Sequence, residues 1–109
     1  MPTVDELGMQ ELKRLAALHS PAEQARAAAE VARERAAFAK ADYDRTMRAA
    51  LEAARASKSL MNTPDFRAAF DQANQLLRVA RHCEAMWTRR EAKAQRLERA
   101  ARRLAETAA

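Results

Sequence analysis

Two stretches of about forty residues each carry small or apolar side chains in alternating steps of four and three, and that spacing leaves the chain few folds to choose from. The first series runs Ala25, Ala29, Ala32, Ala36, Ala39, Tyr43, Thr46, Ala50, Ala53, Ser57, Leu60. The second runs Phe66, Ala69, Ala73, Leu76, Ala80, Cys83, Trp87, Arg90, Ala94, Leu97, Ala101, Leu104, Ala108. A mean step of about 3.5 residues keeps one seam of an α-helix facing a partner helix along its whole length, as in a coiled coil. The break between the series is only a few residues around Asn62, and helices joined that closely pack as antiparallel neighbours. The expected fold is therefore all-α: a long antiparallel helical hairpin with an alanine-rich seam, forming a single domain over residues 1–109.

Capping chemistry sets the boundaries. Thr3 with Glu6 and Ser20 with Glu23 have the spacing of a capping box, and Thr63 precedes Pro64 as an N-cap would. Pro21 and Pro64 would fall at the first helical position, where the missing amide hydrogen is harmless. These signals predict a short N-terminal helix over about 3–18 and long helices over about 21–59 and 64–108. One glycine and three prolines in 109 residues leave little of the punctuation that strands and β-turns need. The first helix carries that glycine, Gly8, and a helix of its length is marginal alone in water. Its Met9, Leu12, Leu15, Ala16 and Leu18 are expected to dock on Val31 and Phe38.

One register satisfies packing and charge together. Folding the chain near Asn62 sets Ala50 against Leu76, Ala39 against Trp87, Ala29 against Leu97 and Tyr43 against Cys83, so large residues meet small ones. The same alignment places Arg26, Arg33 and Lys40 on an edge facing Glu98, Glu91 and Glu84. Exposed pairs of this kind contribute about 0–1 kcal/mol each, so they select the register more than they hold it. Trp87 is the largest seam residue, and its truncation to alanine is expected to cost about 3–5 kcal/mol if it is buried.

Toward the turn the apolar seam widens. Met47, Leu51 and Ala54 flank it from the first long helix, and Phe70, Leu77, Val79 and Met86 from the second. Two helices alone would leave part of this surface in water, and contiguous apolar surface marks interfaces. Met47, Leu51, Phe70, Leu77, Val79 and Met86 are accordingly the candidate partner or dimer interface, most simply with a second copy in a four-helix bundle.

Charge is unevenly spread. The formal net charge is +5, yet the segment from Arg78 to Arg103 carries nine basic residues against Glu84, Glu91 and Glu98. Arg81, Arg89, Arg96, Arg102 and Arg103 form a candidate face for an anionic partner, whose long-range field would attract nucleic acid, an acidic protein or an anionic membrane surface alike. No aromatic residue interleaves these arginines as single-strand binding requires, and no helix-turn-helix of ordinary dimensions is visible.

Chemistry of other kinds finds little support. His82 and Cys83 are adjacent, so they do not share a helix face, and no second Cys or His stands at ligand spacing; no metal or cofactor is expected. A lone cysteine on the seam behaves as a small hydrophobe and fits a reducing compartment. Asp42, Tyr43 and Asp44 lie together in sequence, but a thin hairpin offers no concavity around them. Arg90 interrupts the seam series; its aliphatic stem can cross the seam with the guanidinium left in water, or it can act as a register-fixing polar insertion. The basic start and apolar run of a secretion signal are missing, and no segment approaches the roughly 18 apolar residues of a membrane span. A cytoplasmic location is the expectation.

In architecture such a rod resembles the coiled-coil stalk and chaperone components of bacterial export machines and the small helical regulators of plasmids and phages. That resemblance and the widened seam imply a non-enzymatic protein–protein interaction module: a helical-hairpin adaptor, chaperone or assembly factor of bacterial or phage type, acting as a homodimer or with another protein and taking no small-molecule substrate. The alternative is a basic dimer that contacts the phosphate backbone of DNA or RNA.

Overall fold

The structure, a computed structural model, describes Gly8, Gln10, Glu11 and residues 20–108. It is an all-α antiparallel hairpin of two long helices, α1 (Pro21–Ser59) and α2 (Phe66–Ala108), packed against each other along their lengths. At about 1.5 Å per residue each helix is roughly 60 Å long. The expected N-terminal helix, and its docking on Val31 and Phe38, fall outside the described residues except for Gly8, Gln10 and Glu11, which are helical.

The start of α1 follows its sequence signal. Ser20 has extended backbone angles, its hydroxyl oxygen accepts from the Glu23 amide at 3.1 Å, and Pro21 opens the helix. The start of α2 differs from the expectation. The helix begins at Phe66, two residues after Pro64, and the Asp65 carbonyl accepts from the Ala69 amide at 3.2 Å. Thr63 does not cap it, because the Thr63 hydroxyl turns back and donates to the Leu60 carbonyl at the end of α1. The local cause is the turn itself: Asn62 takes the left-handed conformation at φ 69°, which lets the Thr63 amide also reach the Leu60 carbonyl at 2.9 Å. Asparagine tolerates that conformation better than most residues, and here it does the work a C-terminal glycine often does.

The predicted seam is the observed one except at the open end, where Leu104 is exposed. Ala29, Ala32, Ala36, Ala39, Ala50 and Ser57 of α1 and Ala73, Ala80 and Ala94 of α2 are buried, each at a position of the four–three series. Ala32, Ala36 and Ala94 form a buried cluster, with Leu97 packed on it. Polar seam residues are satisfied locally: the Ser57 hydroxyl donates to the Ala54 carbonyl at 2.7 Å, and that of Thr46 to the Asp42 carbonyl at 2.9 Å.

Side-chain direction then adjusts the partners. Helical side chains lean toward their own N-terminus, so in an antiparallel pair facing residues lean in opposite directions along the rod. Trp87 leans toward the turn and Tyr43 leans away from it, and the two rings stack with centroids 5.5 Å apart and planes at 24°. Trp87 thus sits on Tyr43, one turn from the expected Ala39, and stays partly exposed. Lys40 lies 5.9 Å from the centre of the Trp87 ring, within range of a cation–π attraction.

Candidate interaction surfaces

The edge that carries the cross-helix charges runs the whole length of the hairpin and changes character halfway. Near the open end it is a ladder. Arg33 donates from Nη1 to Glu91 Oε2 at 2.6 Å, and its Nε and Nη2 form a fork on the Glu98 carboxylate, the Nε contact being 3.3 Å. The Arg33–Glu91 pair is the one the register predicts. Glu98, expected to meet Arg26, is instead held by Arg33, and the expected Lys40–Glu84 pair is replaced by Lys40 over Trp87. The same N-terminal lean explains both shifts, since α1 side chains reach toward the open end, Arg33 to Glu98 and Lys40 to Trp87. Hydrogen bonds from Arg33 are the main cause that holds the Glu91 and Glu98 carboxyls below their ordinary value, and those two carboxylates in turn raise the Arg33 pKa.

Near the turn the continuation of that edge is apolar. Leu51, Met61, Phe66, Phe70 and Leu77 surround a groove of about 320 Å³ floored by Ala50, Ala54, Ser57 and Ala73. Among the described residues Lys58 is the only ionisable one lining it. Exposure is high for such side chains: 52% for Leu51, 56% for Met61 and 43% for Phe70. The Phe66 and Phe70 rings lie 5.6 Å apart, tilted by 30°, and stiffen one wall.

Of the six expected interface residues, Leu51, Phe70 and Leu77 come together at this groove. Met47 lies two helical turns before Ala54 on the same edge. Val79 and Met86 face the other flank: at about 100° per residue, Val79 is turned about 200° from Leu77, and it is exposed there. Met61 and Phe66 belong to the groove and were not singled out as its walls. A spacing signal existed for Met61, which follows Met47 and Ala54 by the same seven-residue step.

All five arginines of the expected anionic-partner face are exposed, but they do not form one track. Arg89, Arg96 and Arg103 are seven residues apart and share a stripe. Arg102 lies on the ladder side, lining the open-end groove with Arg33 and Glu98, and its charge helps keep the Glu98 carboxyl ionised. Arg81 neighbours Glu84 on the outer surface. Arg90 is partly buried and lines a groove on the opposite flank from the ladder, between Arg35 and Lys93, over the buried Ala32.

The remaining candidates keep local company. Asp42 pairs with Arg45 one turn away, and Asp44 is exposed. Cys83 is a free thiol, partly buried on the seam. Among the described residues no group of three His, Cys, Asp or Glu side chains could hold a metal ion, and no helix is long and apolar enough to cross a membrane. The chain is thus defined by its architecture, an all-α antiparallel hairpin with an apolar groove at its turn. Comparison with protein-family models, with curated proteins and with solved structures finds no match.

Proposed function

We propose that the chain is a non-enzymatic protein-interaction module, a helical-hairpin adaptor, chaperone or assembly factor of bacterial or phage type, that self-associates through its turn-proximal groove into a four-helix bundle. One observation carries this reading. Among the described residues nothing larger than serine is buried, so every Leu, Met, Phe and Trp of the hairpin keeps part of its surface in water. Burial of apolar area is the main stabilising contribution in folding and association, at about 25 cal/mol per Å², and a two-helix layer leaves much of it unrealised.

A second copy is the occupant that suits the groove best. The wall residues Leu51, Met61 and Phe70 project beside the concavity they border, and a two-fold axis through such a patch lets each copy's projections enter the other's groove. With Lys58 the one ionisable residue at the rim among those described, two copies meet with little charge to desolvate. The test is the mass in solution by sedimentation equilibrium, for the wild type and for a Phe70→Ser/Leu77→Ser double variant. The expected result is a wild-type dimer and a monomeric variant that keeps its helical circular dichroism. A monomeric wild type at micromolar concentration would remove the self-association reading.

A further inference from the structure

The flank opposite the charge ladder has a different composition. Around α2, the arc from Arg90 through Lys93 to Arg89, Arg96 and Arg103 includes no carboxylate between Phe66 and Leu104. The helix keeps Glu84, Glu91 and Glu98 for the ladder edge, and Asp71 and Glu106 for its outward face. On this flank Arg35 of α1 joins Arg90 and Lys93 around a groove of about 530 Å³, with Ala32 and Leu97 beneath and Val31 alongside. Among the described residues no acidic side chain lines it. Val31 is 48% exposed, and Phe38, seven residues further along the same stripe, is 71% exposed.

The contrast between flanks is informative because the register is common to both. Where Arg33 meets Glu91 on one side, Arg35 and Lys93 border one groove on the other. Like charges placed across two packed helices repel, where an opposite pair would attract. A glutamate at either position would complete a second ladder. The hairpin instead leaves three cations around an apolar floor, an arrangement matched by a ligand that brings both carboxylates and apolar surface.

We propose that this groove docks an amphipathic helix of a partner protein, one whose apolar stripe is bordered by aspartate or glutamate. A third helix fits the trough between two packed helices because helices pack at axial distances of about 8–10 Å through interdigitated side chains. Its apolar stripe would cover Val31, Leu97 and Phe38, in place of the chain's own N-terminal segment that the sequence expectation set against Val31 and Phe38. Arg35 then reaches carboxylates on one border, and Arg90 and Lys93 those on the other. Guanidinium groups bind carboxylates through paired hydrogen bonds, so two arginines at the rim favour acidic side chains with fixed spacing. A nucleic-acid backbone would meet the cations equally well but offers no apolar stripe for Val31 and Leu97, and successive base stacking needs more aromatic side chains than Phe38. This surface is separate from the turn groove, and together they would let a self-associated hairpin hold a second protein.

The experiment is a titration of the full chain with three probes: a designed peptide of about 20 residues with leucines at i, i+3, i+4, i+7 flanked by glutamates, poly-glutamate of the same length, and a DNA duplex of about 20 base pairs. The expected result is that the leucine–glutamate peptide binds most tightly. Arg35→Glu/Lys93→Glu should weaken it at least about tenfold, and Val31→Ser/Phe38→Ser about fivefold, all four positions being at the surface. No binding of the peptide, poly-glutamate binding as tightly as the peptide, indifference to Val31→Ser/Phe38→Ser, or tighter binding of the duplex would overturn the proposal. The Phe70→Ser/Leu77→Ser variant should bind the peptide like the wild type, so failure of self-association is read separately from failure here.

Discussion

The two halves of the ladder edge share one register and one helix-to-helix spacing, yet they end differently. In the open half Arg33 bridges Glu91 and Glu98, and the edge is complete within the chain. In the turn half the same edge places Phe70 and Leu77 opposite Ala54 and Met47, and the side chains stand around a groove without closing it. The difference teaches that backbone geometry does not decide which part of a hairpin is a surface for others. Ionic side chains are content at a water-exposed edge, whereas phenyl and thioether groups are stabilised only when another surface covers them.

The largest expected effect lies at the border between the halves. Trp87→Ala removes the ring that stacks on Tyr43 and receives Lys40. Because Trp87 is only partly buried, the expected loss is about 2–3 kcal/mol, at or below the lower end of the range for a core aromatic. Thermal unfolding followed at 222 nm measures it, and a Tyr43→Ala/Trp87→Ala cycle should return a coupling of about 0.5–1.5 kcal/mol. No coupling would mean that the halves meet without this aromatic contact. Somewhat smaller is the effect of Ala94→Leu, which forces a large side chain into the cluster with Ala32 and Ala36. It is expected to destabilise by about 1–3 kcal/mol, whereas the same exchange at the exposed Ala92 should be near neutral. Equal effects at the two sites would contradict a close-packed seam.

The fold was almost wholly legible in the sequence, and the reasons are local. Small residues at four–three spacing, with Ser20–Pro21 at one boundary and Asn62 near the other, each favour the same hairpin, and agreement among independent signals is what specifies a structure. The start of α2 was not legible, because Thr63–Pro64 satisfies the capping pattern while the hydroxyl is drawn to Leu60 by the left-handed Asn62. The partners of Trp87 and Glu98 were displaced along the rod for a reason spacing does not express, the lean of helical side chains. For the candidate surfaces, a list of apolar flanking residues mixed two flanks; Val79 and Met86 parted from Leu51, Phe70 and Leu77 once the helix was given its full circumference.

The turn offers a test of intermediate size. Asn62 sits at φ 69°, where a β-branched side chain clashes with the following carbonyl oxygen. Asn62→Val should therefore cost about 1–2 kcal/mol, and Asn62→Gly should be neutral or slightly stabilising. Both leave the seam and the groove walls intact, so the melting temperature reads the turn alone. If valine were tolerated as well as glycine, the left-handed turn would not be what sets the hairpin reversal.

The smallest expected effect separates the two halves by their response to acid. Hydrogen bonds from Arg33 keep the Glu91 and Glu98 carboxyls below the ordinary 4.5, so in that range the unfolded chain binds more protons than the folded one. Their contribution is fully present above pH 4.5 and is lost as the pH falls through the depressed folded values. Lowering the pH from about 6 to about 3 should thus reduce the wild-type melting temperature more than that of Arg33→Met, which has no ladder to lose. Because these groups are solvent-exposed, added salt should shrink the difference as well. Phe70→Ser should leave the acid response unchanged, since no carboxylate among the described residues lines the turn groove. Parallel acid curves for the wild type and Arg33→Met would mean that the ladder does not hold the open half, and that the seam alanines alone keep the two helices aligned there.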